Sequence, residues 1–218
     1  DLEKLRPFGK IYACNAIYRD GFRPDVLVAV DHGIMHEIYN NGVADEIPCY
    51  FRDWTRVPEG HYEMMKWAGL QLTDREKVKK HFDKFYENEK GDRKEFVMHG
   101  MNMAGKVGII RRYENKPEAF KVMQKELDHS DCNVSWVHDG DKATSLTDFY
   151  RDNTEFKKDR GWAAGPTSGM IALINEKPDE VYLIGHDIRS NNLFAGTRHY
   201  VAKENSPTPG VNWEQQWC

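Results

Sequence analysis

The stretch that decides the fold is Val26-Leu27-Val28-Ala29-Val30, which is bounded by Pro24-Asp25 and by Asp31. It is a continuous apolar run rich in β-branched residues, and such runs are typical of strands that are covered on both faces. An earlier run, Ile11-Tyr12-Ala13-Cys14, has the same character. Both runs therefore predict strands of a parallel sheet with helices packed on either side.

Apolar runs continue to alternate with amphipathic stretches towards the carboxyl terminus. The pattern predicts further strands over residues 47–51, 107–110, 134–138 and 181–187, and helices over 33–39, 117–127 and 170–174. Residues 52–106 depart from the pattern and predict a helical or irregular insertion, with helices over 62–70 and 74–89. The predicted fold class is α/β, with a Rossmann-like, mostly parallel sheet, helices on both faces and one nucleotide-binding domain over residues 1–218.

Composition excludes several classes of protein. The 218 residues are 39% hydrophobic and 12% aromatic, which excludes intrinsic disorder and coiled coils. A net charge of −4, from 31 basic and 35 acidic residues, argues against nucleic-acid binding. We expect no membrane span and no signal peptide, because no apolar run approaches ~18 residues. The four cysteines are widely spaced, which is typical of reduced thiols in a cytoplasmic protein.

A loop of small residues ends at Thr167-Ser168-Gly169, immediately before the apolar stretch 170–174. The first turn of a helix leaves backbone N–H groups unpaired and can bind a phosphate or carboxylate group. Glycine lets a ligand approach the backbone closely, and the two hydroxyl groups add hydrogen-bonding capacity. The alternative is that Thr167 or Ser168 only caps the helix.

Polar residues follow three of the predicted strands: Asn15, then Asp31-His32, then His186-Asp187. In open parallel sheets, ligands bind beyond the carboxyl ends of the strands. We therefore expect these groups to converge on one site, although each one separately is also an ordinary loop or cap residue. His32 and His36 share a helix face, but the sequence favours one surface and one packed histidine over a metal site.

Residues from about 188 to 210 are polar and are predicted to form a lid. His199 and Tyr200 lie in this segment, where they would stabilise charge on a departing phosphate group. Either His199 or His186 would accept a proton from an attacking hydroxyl group, because histidine titrates near neutral pH. The alternative is an ordinary surface loop.

Two blocks of the sequence resemble a known family. The first block is the segment from Ile11 through Asp31. The second consists of two stretches, Thr167-Ser168-Gly169 and Val181-Tyr182-Leu183-Ile184-Gly185-His186-Asp187. The blocks resemble the MptE-like domain family, named for an archaeal 6-hydroxymethylpterin pyrophosphokinase. They are also similar to the bacterial CMP-sialic acid sialyltransferases of the Cst type, which share a Rossmann-like nucleotide-binding fold.

The resemblance implies a nucleotide-dependent transferase, and first of all a glycosyltransferase that uses a CMP-sugar donor and a small-molecule or glycan acceptor. Asn15, Asp31, Thr167, Ser168, Gly169, Asp187 and Tyr200 would bind the nucleotide, and His199 and His186 would be catalytic. The alternative activity is an ATP-dependent pyrophosphokinase acting on a pterin-like alcohol, with Mg²⁺ held by Asp31 or Asp187. Nothing like the families' first phosphate loop precedes Asp1, so we also expect either a truncated chain or a non-catalytic relative.

Overall fold

The computed structural model describes residues 2–58, 95–99, 133–153, 155, 157–185 and 217. The strands within these residues are β1 (Tyr12–Cys14), β2 (Val26–Ala29), β3 (Cys49–Phe51), β4 (Arg56–Pro58), β5 (Glu95–His99), β6 (Asn133–Trp136) and β7 (Ala143–Ser145). The α-helices are α1 (His32–Asn40), α2 (Val43–Glu46), α3 (Leu146–Asn153) and α4 (Ala164–Glu176). Short 3-10 helices, Leu2–Phe8 and Asn15–Asp20, lie on either side of β1.

The main sheet of the described chain is parallel and has the strand order β1-β2-β3-β7. Leu27 lies opposite Ala13 of β1 and Cys49 of β3, which fixes the register of the central strand. The strands predicted from the first two apolar runs and from residues 47–51 are therefore confirmed. The fourth strand, β7, was not predicted, because Ala143-Thr144-Ser145 is short and carries no large apolar side chain.

Both faces of the parallel sheet are covered, as the continuous apolar runs predict. Successive side chains of a strand point to opposite faces. Leu27 and Ala29 therefore pack in one cluster with Met35 and Ile38 of α1. Val28 packs in the other cluster, which includes side chains of α3 and α4. Full burial of each large apolar side chain contributes about 1.5–3 kcal/mol, so β2 anchors both layers.

A second sheet is antiparallel and has the order β4-β5-β6. It corrects the prediction of a helical or irregular insertion only at residues 56–58 and 95–99, which form β4 and β5. Phe96 and Val97 of β5 are fully buried, so their apolar side chains are removed from solvent in a strand. The strand predicted over 134–138 is confirmed as β6, although it pairs antiparallel with β5. The helices predicted over 62–70, 74–89 and 117–127, the strand over 107–110 and the lid lie outside the described residues.

Two predictions in the last third of the chain are wrong. The segment predicted as a loop before residue 170 is already helical, because α4 begins at Ala164 and accommodates Pro166 in its first turn, where a missing N–H is tolerated. The strand predicted over 181–187 is not formed in its described part, residues 181–185. There Val181 to Ile184 are 45–79% exposed, so β propensity alone does not place them in a sheet. No helix within the described ranges is long and apolar enough to cross a lipid bilayer.

Candidate functional site at the carboxyl edge of the parallel sheet

Helix α4 runs antiparallel to β1, and this brings its amino terminus to the carboxyl edge of the sheet. Near that edge, the Ser168 hydroxyl group donates to the carbonyl oxygen of Ala13 at 3.5 Å. At the other end of the helix, Glu176 accepts hydrogen bonds from the Tyr12 hydroxyl group at 2.6 Å and from Lys10 Nζ at 2.8 Å. The positive end of the α4 dipole therefore lies beside the end of β1.

Asn15 is the first residue after β1 and has a strained backbone. Its φ of 55° lies in the left-handed region, which asparagine tolerates better than most residues do. Its Oδ1 atom is buried and has no hydrogen-bond partner among the described residues. An unsatisfied buried polar atom costs about 1–3 kcal/mol, so the Oδ1 atom of Asn15 retains an unused capacity to accept a hydrogen bond.

Asp31 and His32 follow the neighbouring strand, so the structure brings them to the same edge as Asn15. Asp31 stands at the N-cap position of α1, but its side chain makes no capping hydrogen bond, and the residue is exposed. His32 is also exposed, and its ring centroid lies 5.3 Å from that of His99 on β5. Burial and the nearby His99 lower the pKa of His32, and Asp31 partly opposes this shift.

Thr167 and Ser168 are buried in α4 and are not part of an open loop. Neither caps the helix, because the N-cap residue is Ala163. Thr167 Oγ1 donates to the carbonyl oxygen of Trp162 at 3.3 Å, so the hydroxyl group ties the helix to the preceding loop. Gly169 faces the ring of Trp217, and a Cβ atom there would lie only 2.8 Å from a ring carbon.

The remaining predicted site residues, His186, Asp187, His199 and Tyr200, lie outside the described residues. Their roles as proton acceptor and nucleotide ligands remain predictions.

Sequence reasoning missed the polar residues that follow β3. Arg52 Nε lies 2.6 Å from Asp159 Oδ2, and its Nη2 atom donates to the carbonyl oxygen of Trp162 at 2.6 Å. Asp53, the next residue, lies 3.6 Å from Nε2 of His99. The rule that singled out Asn15 and Asp31 applies equally to Arg52 and Asp53, since both directly follow a buried strand.

His36 is the packed member of the histidine pair on α1, and His32 is the surface member, as the sequence favoured. His36 Nδ1 is hydrogen-bonded to Ser135 Oγ, which also accepts a bond from Asn40 Nδ2 at 2.8 Å. Burial lowers the pKa of His36 to about 3, so its ring is neutral at physiological pH. Within the described ranges, no three His, Cys, Asp or Glu side chains are grouped so that they could hold a metal ion.

A cleft of about 510 Å³ opens beside Asp53. One wall is the connection between β3 and β4, and the other is formed by β7 and the start of α3. Its walls carry the hydroxyl groups of Thr55, Thr144, Ser145 and Thr147. Its carboxylates belong to Asp53, Glu95 and Asp148. The volume falls in the range of about 300–1,000 Å³ that is typical of small-molecule sites.

The carboxyl edge thus combines a helix amino terminus, an unsatisfied amide and a polar cleft. Comparison of the whole chain with protein-family models, with curated proteins and with solved structures finds no match.

Proposed function

We propose that this protein is a nucleotide-dependent transferase with a Rossmann-like fold, and specifically a sialyltransferase-like glycosyltransferase that uses a CMP-activated sugar. The observation that carries the proposal is the buried Oδ1 atom of Asn15, which has no hydrogen-bond partner among the described residues; Asn15 directly follows β1, whose Ala13 carbonyl accepts from Ser168 of α4. The helix terminus favours a phosphate group, and the amide supplies a neutral hydrogen-bonding group beside it. A nucleoside monophosphate needs both kinds of contact.

In the proposed reaction, a hydroxyl group of a small-molecule or glycan acceptor attacks the anomeric carbon of the donor sugar. The bond between that carbon and the phosphate oxygen breaks, and CMP leaves with the electron pair. The positive end of the α4 dipole stabilises the charge that develops on the leaving phosphate group. The free thiols of Cys14 and Cys49 support a cytoplasmic location for this reaction.

The experiment is to measure the melting temperature against CMP, CDP, UDP and ATP. We expect CMP at millimolar concentration to raise the melting temperature, because a ligand that binds only the folded state stabilises it. The variant Asn15→Gly keeps access to the positive φ but removes the amide, and should weaken CMP binding about tenfold. Asn41→Gly is the matched control, since it removes an exposed amide at the far end of α1. Absence of any shift with all four nucleotides would remove the basis for the proposal.

A second candidate is the ATP-dependent pyrophosphokinase. It is favoured by Asp31, whose exposed carboxylate makes no capping bond at the carboxyl edge and is a suitable ligand for Mg²⁺. This activity predicts that ATP raises the melting temperature only with Mg²⁺ and that CMP has no effect. A CMP-dependent glycosyltransferase predicts the opposite result, in which CMP raises the melting temperature and ATP has no effect.

A further inference from the structure

The cleft beside β7 has a charge balance that disfavours the nucleotide. Among the described residues that line it, three carry carboxylates, namely Asp53, Glu95 and Asp148, and only Arg56 is cationic. The Arg56 guanidinium group is already engaged, since its Nη2 atom lies 2.8 Å from Asp141. A phosphate group would be repelled here, whereas a neutral ligand with many hydroxyl groups could donate hydrogen bonds to these oxygens.

Asp53 is the carboxylate in the cleft that directly follows β3 and Arg52. Its neighbour Arg52 holds the loop that precedes α4, through Asp159 and the Trp162 carbonyl group. Asp53 itself lines the cleft and has a side chain that is 42% exposed. The two adjacent residues therefore connect the amino terminus of α4 with the cleft.

The buried side chain of His99 lies close to the carboxylate of Asp53. The two side chains approach within 3.6 Å, and His99 is only 8% exposed. The other two carboxylates are paired differently, because Asp148 lies 2.8 Å from Arg151, and Glu95 lies 3.9 Å from Arg56. Asp148 and Glu95 are thus ion-paired with an arginine, whereas the side chain of Asp53 faces an imidazole ring. Asp53 also has a backbone φ of 53°, in the left-handed region that most residues avoid.

We infer that this cleft binds a neutral, hydroxyl-rich acceptor and that Asp53 accepts the proton of the attacking hydroxyl group, while His99 positions the carboxylate. This inference rests on the proposed function. The acceptor oxygen forms a bond with the anomeric carbon, the bond from that carbon to the phosphate oxygen breaks, and the electron pair stays with CMP. The hydroxyl proton moves to an oxygen of Asp53 and then to solvent.

The test separates binding of the two substrates, with CMP as the donor probe and lactose as the acceptor probe. Lactose binding is measured by calorimetry in the presence of saturating CMP. We expect Thr147→Trp, an exposed substitution in the cleft wall, to abolish lactose binding and to leave CMP binding unchanged. Asp152→Asn, which neutralises an exposed carboxylate outside the cleft lining, is the matched control for the variant Asp53→Asn used below.

The catalytic part is tested by following CMP release from CMP-sialic acid with lactose as acceptor. Asp53→Asn should lower kcat about 100-fold or more, the usual contribution of a general base, without weakening CMP binding. His99→Phe removes the imidazole whose proximity lowers the pKa of Asp53, and should move the acidic limb of the pH–rate profile to higher pH. His99→Gln, which keeps a donor, should restore part of the activity. Among the described residues, the other titratable or charged groups near this pair are Arg52 on the segment of Asp53, His32 beside His99, and Arg56, Glu95 and Asp148 in the cleft lining; all are unchanged in the three variants.

The outcomes distinguish this inference from the proposed function. If CMP does not bind the wild-type protein, the proposed function fails first. If CMP binds but lactose does not bind the wild-type protein, the acceptor site is overturned while the nucleotide site stands. If lactose binds and transfer occurs equally well in Asp53→Asn, the assignment of the proton acceptor is overturned.

Discussion

Arg52 and Asp159 form an ion pair between the end of β3 and the loop that precedes α4, with Nε and Oδ2 2.6 Å apart. Their side chains are only 19% and 13% exposed, so solvent screens the pair less than it screens the surface pairs of this protein. The guanidinium group also holds the Trp162 carbonyl oxygen. One side chain thus fixes the approach of α4 to the carboxyl edge.

Replacing Arg52 by methionine should destabilise the fold and weaken nucleotide binding together. The substitution leaves the mostly buried carboxylate of Asp159 without its cationic partner. We therefore expect a loss of about 2–3 kcal/mol in the free energy of unfolding. Urea denaturation measures this loss, and calorimetry with CMP measures the affinity. Arg151→Met is the control, because Arg151 forms only exposed ion pairs. Equal stability of the two variants would contradict the anchoring role of Arg52.

The buried His36 should make the protein less stable in mild acid. Its pKa is about 3 in the folded state and near 6.5 in the unfolded chain, so the unfolded state binds more protons between these values. The stability that follows from this difference is fully present above about pH 6.5 and is lost progressively as the pH falls towards 3. Urea denaturation at a series of pH values between 7 and 5 measures the slope.

His36→Gln should flatten that slope, since glutamine does not titrate. His32→Gln is the informative comparison, because the pKa of His32 is lowered in the same direction but its ring is exposed. We expect His32→Gln to change the slope less than His36→Gln does. A slope that persists unchanged in His36→Gln would show that another group carries the pH dependence.

Cys14 and Cys49 should resist alkylation in the folded protein. Burial raises the pKa of Cys14 to about 11 and is the main cause that raises the pKa of Cys49 to about 12, so both thiols stay protonated at pH 8. Because the thiolate is the reactive form, iodoacetamide should modify both residues only after urea is added. Peptide mapping by mass spectrometry gives the extent of modification at each position. Rapid labelling of Cys49 without denaturant would mean that the centre of the parallel sheet opens readily.

Gly169→Ala should displace the indole ring of Trp217. The added Cβ atom would lie 2.8 and 2.9 Å from two carbons of that ring, which is closer than van der Waals contact allows. We expect a change in tryptophan fluorescence, measured relative to Trp217→Phe, with only a small loss of helix stability because alanine favours helices. Gly33→Ala is the control, since a Cβ atom at Gly33 meets nothing within 4 Å. Identical spectra of Gly169→Ala and wild type would refute this contact.

Much of the parallel sheet could be predicted from the sequence. Strands β1, β2 and β3 are apolar runs, and such runs predict burial because only a strand with both faces covered avoids exposing them. Strand β7 could not be predicted in this way, because its residues are small and it is a strand only through its pairing with β3. The antiparallel sheet was missed for a related reason. Its strands β4 and β5 are brought together across residues 59–94, and local patterns carry no information on that pairing.

The candidate site was predictable in part. Asn15 and Asp31 could be selected because polar residues that follow buried strands gather at one edge of a parallel sheet. The same rule also selects Arg52 and Asp53, because both directly follow β3. The burial of Thr167 and Ser168 was not predictable, because a run of small residues is compatible with a loop and with a tightly packed helix. Only the contact with β1 decides between them.

The four exposed apolar side chains of Val181 to Ile184 affect the protein concentration at which the measurements above should be made. We expect an exposed apolar segment of this kind to favour association between copies of the chain when the sample is concentrated. Calorimetric titrations at high protein concentration would then report association heat together with ligand heat. Light scattering at each working concentration, and a matched dilution series, would separate the two contributions.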